Sequence, residues 1–270
     1  MEALSFHKYE GLGNDFVLIE ADREDRVSAE LARALCDRRF GVGGDGVLLV
    51  LPPRSDGAAA RMRVVNADGS VPEMCGNGLR CAALHVARAR GLERGELLFD
   101  TDAGPKPCAI DDAGAKGLVT VDMGVVRVDG ALTLEIEGVG WELALADAGN
   151  PHAVTVQEAD RPTIDAVGPR IATDARFPAG TNVEFATFRG DEVDLVVYER
   201  GVGVTLACGT GACATVAVGV SKGWVRAGQP VRVHLPGGDL AITVGGDGRA
   251  VMRGPARHVF SGRFEARSAT

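Results

Sequence analysis

Apolar residues fall into two periods along this chain, and each period predicts a different element. "FVLIEAD", "GVLLVL" and "ARMRVV" are β-branched or alternating over short runs, which predicts strands. "SAELARALCDRRFG" (28–41) spaces its apolar residues along one helical face, opens on a serine suited to the N-cap and closes on Gly41. That pattern predicts a helix over the stretch. "NGLRCAALHVARARG" (77–91) reads as a second helix ending at Gly91. "GACATVAVGVSKGW" (211–224) is apolar and small almost all round, which predicts a buried helix wrapped by a sheet. "RPTIDAVGPRIATDARFP" (161–178) resembles the serine-capped segment in position. Strands and helices do not alternate regularly, so the expected class is α+β and not a doubly wound sheet.

The pattern repeats at an offset of about half the chain. "VVNADGSVPEMCGNG" (64–78) resembles "VVYERGVGVTLACGTG" (196–211): a β-branched pair, a polar turn, then Cys-Gly-polar-Gly. "ELLFDTDAGPKPCAI" (96–110) faces "QPVRVHLPGGDLAIT" (229–243), with Gly104 against Gly237. "GNDFVLIE" (13–20) faces "GNPHAVTV" (149–156). The matches keep their order, which predicts two pseudo-symmetric halves, each a sheet or barrel-like wrap around a central helix. The expected halves are 1–122, carrying Cys75, and 123–262, carrying Cys208, with 263–270 crossing back to the first.

Composition narrows the partners. The 270 residues carry 46% hydrophobic and 24% charged side chains, as a soluble globular protein does. A net charge of −8 argues against nucleic acid. No apolar run approaches the length of a membrane span, and "MEALSFHKYEGLGNDF" lacks the basic-then-apolar order of a secretory leader. The six cysteines are therefore expected as reduced thiols in a cytoplasmic protein. No Cys-x2-Cys spacing occurs and the five histidines are scattered, so no metal site is expected. Cys36, Cys81, Cys108 and Cys213 read as packing residues.

Cys75 and Cys208 read differently. Each stands before Gly-polar-Gly at the start of a helix, where N–H groups lack partners and the helix dipole is positive. Such an end holds a carboxylate, glycines let the backbone approach it, and the same field lowers a thiol pKa toward neutrality. Two such units facing each other across an interdomain cleft suit inversion at a carbon beside a carboxylate. One thiolate removes the α-proton, the opposite thiol delivers one to the other face, and helix N–H groups stabilise the enediolate-like state between. Lysine is sparse and none lies in the two Cys-Gly-polar-Gly motifs, so no pyridoxal-type cofactor is expected.

"GLGNDF", "GVGGDG", "NADGS", "EMCGNGLRC", "GNPHAV", "TNVEFA", "YERG" and "ACGTGACA" occur in this order through essentially the whole chain, which thereby resembles the diaminopimelate epimerase family. The resemblance implies two similar α/β halves with the site between them, no cofactor, a cytoplasmic homodimer, and an amino-acid substrate, LL- and meso-diaminopimelate. It implies Cys75 and Cys208 as the acid/base pair, with His152 and Glu199 tuning or orienting them. Gly76, Asn77, Gly209 and Thr210 would present N–H groups to the carboxylate at the reacting centre. Asn14, Asn66, Asn150 and Asn182 would bind the substrate's polar groups, and Glu199 and Arg200 its distal end. The asparagines also read as turn residues, Glu199 and Arg200 as a solvated pair, and His152 as a residue satisfying a backbone group. The repeat sets Phe16 opposite His152, so the two halves are not expected to be identical.

Two positions depart from the family pattern. Val204 in "GVGVT" stands where many members carry an acid, and Gly46 where some carry glutamine. They leave open a racemase of the same architecture acting on another amino acid, such as histidine or a hydroxyproline. A non-catalytic amino-acid-binding protein is the third reading.

Overall fold

The structure is a computed structural model that describes residues 3–114 and 117–265. Two compact units divide the chain: Met1–Val121 with Gly254–Thr270, and Asp122–Arg253. The class is α+β, with two duplicated strand-rich halves.

In the first unit the order is β1 (Leu4–Gly11), β2 (Asn14–Glu20), α1 (Ala29–Cys36), β3 (Gly46–Leu51), β4 (Ala60–Asn66), α2 (Gly76–Ala89), β5 (Gly95–Asp100), β6 (Lys106–Asp112) and β7 (Leu118–Val125). Strand β1 runs antiparallel to β2, β2 parallel to β3, β3 antiparallel to β4, β4 parallel to β5, β5 antiparallel to β6, and β6 antiparallel to β7.

The second unit carries β8 (Arg127–Ile136), β9 (Val139–Asp147), β10 (Pro151–Thr155), α3 (Arg161–Ala172), β11 (Asn182–Arg189), β12 (Glu192–Glu199), β13 (Gly203–Val204), α4 (Gly209–Ser221), β14 (Pro230–Leu235), β15 (Gly238–Val244) and β16 (Arg249–Pro255). From β9 through β16 the senses repeat those of β1 through β7: antiparallel, parallel, antiparallel, parallel, antiparallel, antiparallel. The short β13 is the one added strand, paired to β12. One strand is permuted. In the second unit β8 flanks β9 and precedes it, whereas β1 is flanked by β17 (Arg257–Phe264) from the far end of the chain. The return thus begins at Gly254, earlier than the expected residue 263, because β17 pairs with β1 over its whole length and wholly buried Arg80 of α2 donates to the Pro255 carbonyl. Of the expected return stretch, 266–270 lie outside the described residues.

Each sheet is covered on both faces, which is why its central strands are apolar without interruption. Val17, Ile19, Val47 and Leu49 point to α1 residues Ala32, Leu35 and Cys36. The alternate positions point to the long buried α2, where Leu48 lies against Gly78. The second unit repeats this. Ala153, Val183 and Phe185 pack on α3 residues Ile164, Val167 and Ile171. Glu184 and Val197 lie toward α4, against Gly211. Both central helices are nearly all buried, as the sequence predicts for the second of them.

The serine-capped helix is shorter than predicted. Ser28 accepts from Leu31 N–H, but the helix ends at Cys36 and not at Gly41. The Asp37 carboxylate takes the N–H groups of Arg39 and Phe40, and the N–H groups of Val42 and Gly43 close on the Leu35 carbonyl, folding 37–43 into a turn.

Candidate active site

The two Cys-Gly-polar-Gly motifs form the same local structure. Cys75 is the N-cap of α2 and Cys208 the N-cap of α4. Each Sγ accepts a hydrogen bond from the N–H of the glycine three residues on, Gly78 or Gly211, at 3.4 Å in both. A thiol thus occupies the place a serine or aspartate oxygen takes in an ordinary cap. Gly76 and Asn77, like Gly209 and Thr210, are the first two residues of their helices, where N–H groups have no intrahelical acceptor.

The third-position glycines are required by space. A Cβ at Gly78 would lie 2.7 Å from Leu48 Cδ2, and one at Gly211 would lie 2.8 Å from Glu184 Oε1 and 3.3 Å from Cys208 Sγ. Only a bare backbone brings this N–H to the thiol.

Around Cys75 the structure assembles Asn77 and Asn14. The Asn77 amide donates to Asn14 Oδ1 at 3.2 Å, and the Asn14 amide donates to Asp45 Oδ2 at 2.8 Å. Asp45 is held by Arg38, which also grips Asp15, and Asp15 pairs with buried Lys8. The "GVGGDG" loop therefore serves as an anchor for Asn14. Asn66 is engaged in a turn, its backbone N–H on the Ser70 carbonyl and its amide on Ser70 Oγ. Gly46 pairs with Asn66 in the β3–β4 register, and a Cβ there would lie 3.0 Å from the Val65 carbonyl oxygen.

Around Cys208 the surroundings are charged. His152 Nδ1 hydrogen-bonds Glu184 Oε1 at 2.6 Å, and its Nε2 hydrogen-bonds Asn150 Oδ1 at 3.0 Å. Both side chains of the His152–Glu184 pair are wholly buried. The two hydrogen bonds fix the orientation of the ring. Glu199 accepts from Thr205 Oγ1 at 2.6 Å. Asn182 Oδ1 accepts from the Arg200 N–H at 2.9 Å, while the Arg200 guanidinium donates to the Ala179 carbonyl. Thr210 Oγ1 lies 3.5 Å from Cys208 Sγ.

The helix field alone predicts an acidified thiol, and for Cys208 the structure reverses that expectation. Burial pushes its pKa well above the ordinary value, and the nearby Glu199 and Glu184 push it further. The hydrogen bonds from Thr210 and Gly211 act the other way and are outweighed. Cys208 thus rests as a thiol with a proton to give. Cys36, buried in the α1 core, is pushed up to about 11, and Cys81 is pushed up by complete burial, as packing thiols are.

Glu184, which meets His152 beside the second cap, is absent from the expected set of site residues. It lies in "TNVEFA", but nothing local marks it, because its partner is 32 residues away and the parallel β10–β11 pairing joins them. Val204 is half-buried, its side chain packed against the cluster of Ile164, Val167 and Phe185.

A solved structure of a phenazine biosynthesis protein of the PhzF family from Bacillus anthracis has this fold, with a TM-score of 0.78 at 15% identity, covering 98% of this chain and 100% of that one. The family model for diaminopimelate epimerase matches residues 6–128 and 144–259. Curated diaminopimelate epimerases from Desulfitobacterium hafniense and Gloeothece citriformis are 44% and 41% identical to it. Each alignment covers 97% of this chain, and 97% and 99% of the respective relative. With the duplicated fold, these matches make the protein an isomerase. The chain belongs to the diaminopimelate epimerase family.

Proposed function

We propose that the protein interconverts LL- and meso-diaminopimelate without a cofactor, using Cys75 and Cys208 as the acid/base pair, in the cytoplasmic route to lysine and peptidoglycan precursors. The observation that carries this reading is the matched pair of N-cap thiols, each on its N3 glycine N–H at 3.4 Å, at equivalent points of two duplicated units. One thiolate takes the α-proton. The electron pair passes into the carboxylate as an enediolate, stabilised by first-turn N–H groups of Gly76, Asn77, Gly209 and Thr210. The other thiol protonates the opposite face, which inverts the carbon and exchanges the two sulfurs' protonation states. No oxidant or reductant is consumed. Cys208, a thiol at rest, is the donor in the first half of a cycle that begins from this state.

The remaining assignments follow the chemistry of each group. His152, held by Glu184, and Glu199 tune the Cys208 environment. Asn14, Asn66, Asn150, Asn182 and Arg200 address the substrate's polar groups, the guanidinium suiting the distal carboxylate. The working form is a homodimer, as the family resemblance implies.

Incubation in heavy water tests the proposal. Deuterium should enter the α-carbon of LL-diaminopimelate as the meso isomer forms, and Cys75→Ala and Cys208→Ala should each stop interconversion. If reduced protein shows no exchange, the reading fails. Exchange with a different amino acid in a chiral chromatography panel, and none with diaminopimelate, replaces the substrate but keeps the chemistry. Tight binding without exchange marks a binding protein.

A further inference from the structure

Three polar side chains with no part in the chemistry above meet in the first unit: His7 on β1, Glu20 at the end of β2 and His85 on α2. One ligand atom from each lies within 4.8 Å of the other two. We infer that His7, Glu20 and His85 form a site for one divalent transition-metal ion of the Zn2+ type, coordinated by two imidazole nitrogens and one carboxylate oxygen.

The histidines are held as metal ligands are. His85 Nδ1 hydrogen-bonds the Tyr9 hydroxyl at 3.2 Å, which turns its Nε2 to Glu20 Oε1 at 2.8 Å. His7 Nδ1 hydrogen-bonds Ser261 Oγ of β17 at 2.7 Å, leaving Nε2 as its coordinating nitrogen. Such outer partners set ring orientation and tautomer in metal sites. The two rings lie 4.7 Å apart, centroid to centroid.

Tetrahedral ligands on bonds of about 2.0–2.1 Å stand about 3.3 Å apart, so separations of up to 4.8 Å have to close by up to about 1.5 Å while the 2.8 Å Glu20–His85 pair opens slightly. The Glu20 side chain, 63% exposed, is free to swing and make that adjustment. Glu20 and His85 also line a cavity of about 900 Å³, which gives an ion a way in and leaves a coordination position for water. Two imidazoles and one carboxylate suit Zn2+, Co2+ or Ni2+ better than Mg2+ or Ca2+, which take oxygen ligands. His85 lies ten residues along α2 from Cys75, or about 15 Å of helix rise. The ion would tie β1, β2 and α2 together and would not touch the thiol.

Co2+ titration of untagged protein tests the site, in a Cys75→Ala/Cys208→Ala background that removes the competing thiols. One Co2+ per chain should bind at micromolar concentration, with the visible spectrum of tetrahedral nitrogen and oxygen ligation and no thiolate charge-transfer band. His7→Ala and Glu20→Gln should each weaken binding at least tenfold, and Ser261→Ala about tenfold. His234→Ala, at the separate His234–Asp239–Glu192 group, should change nothing. Should His7→Ala fail to fold, the exposed Glu20→Gln still decides. Absence of saturable binding, binding indifferent to Glu20→Gln, or loss of binding in His234→Ala overturns the inference.

Discussion

The N-termini of α2 and α4 have the same backbone and opposite surroundings. In each a thiol caps the helix and takes the N–H of a crowded glycine. The strand residues aimed at the two caps differ. Position for position in the repeat, Phe16 and Leu48 of the first unit stand where His152 and Glu184 stand in the second. One cap is lined by hydrocarbon at these points, the other by a buried, hydrogen-bonded histidine and glutamate with Glu199 beside it. Duplication thus preserved the capped helix start and let the side chains around it diverge.

The sharpest way to break this comparison is to remove one thiol. Cys75→Ala and Cys208→Ala should each lower interconversion by about 10²–10⁴-fold in both directions, measured by chiral chromatography. An effect confined to one direction would mean that the thiols do not act as a pair.

Converting the second cap into the first comes next. Glu184→Leu leaves the buried His152 Nδ1 without its partner and should cost about 1–3 kcal/mol in urea denaturation. His152→Phe alone strands the Glu184 carboxylate and should cost at least as much. The double substitution reproduces the Phe16–Leu48 arrangement and should be less destabilising than the sum of the singles, with a coupling of about 0.5–3 kcal/mol. Strict additivity would show that the two side chains act independently.

Protonation sharpens the contrast without altering the fold. The Cys208 pKa is raised, so its thiolate is scarce at pH 7, and peptide-resolved alkylation should be slow there and climb as pH passes above the ordinary thiol range. Glu199→Gln removes a charge that raises this pKa, so alkylation of Cys208 at fixed pH should quicken by up to about tenfold. An unchanged or slower rate would remove Glu199 from the thiol's surroundings.

The smallest effect concerns Val204. Val204→Glu should cost about 1 kcal/mol by placing a carboxylate against the α3 cluster, with little change in catalysis. Unchanged stability together with a lowered KM would mean that this position addresses substrate after all.

Much of the molecule was legible in the residues. Strands β2, β3 and β4, both central helices, the duplication and the matched Cys-Gly-polar-Gly helix starts all follow from local patterns. The end of α1 did not, because Asp37 competes for backbone donors that a periodicity argument assigns to the helix. The start of the return at Gly254 did not either, since pairing of β17 with β1 joins opposite ends of the chain.

The sequence by itself determined the two helix starts and their glycines, because these are set within a few residues by backbone geometry. Only the tertiary structure decided the electrostatics. Glu184 meets His152, and His7 meets Glu20 and His85, through strand pairing and helix packing that no spacing along the chain encodes. Burial, a property of the whole unit, then turned the thiol that a helix N-terminus would acidify into one that keeps its proton.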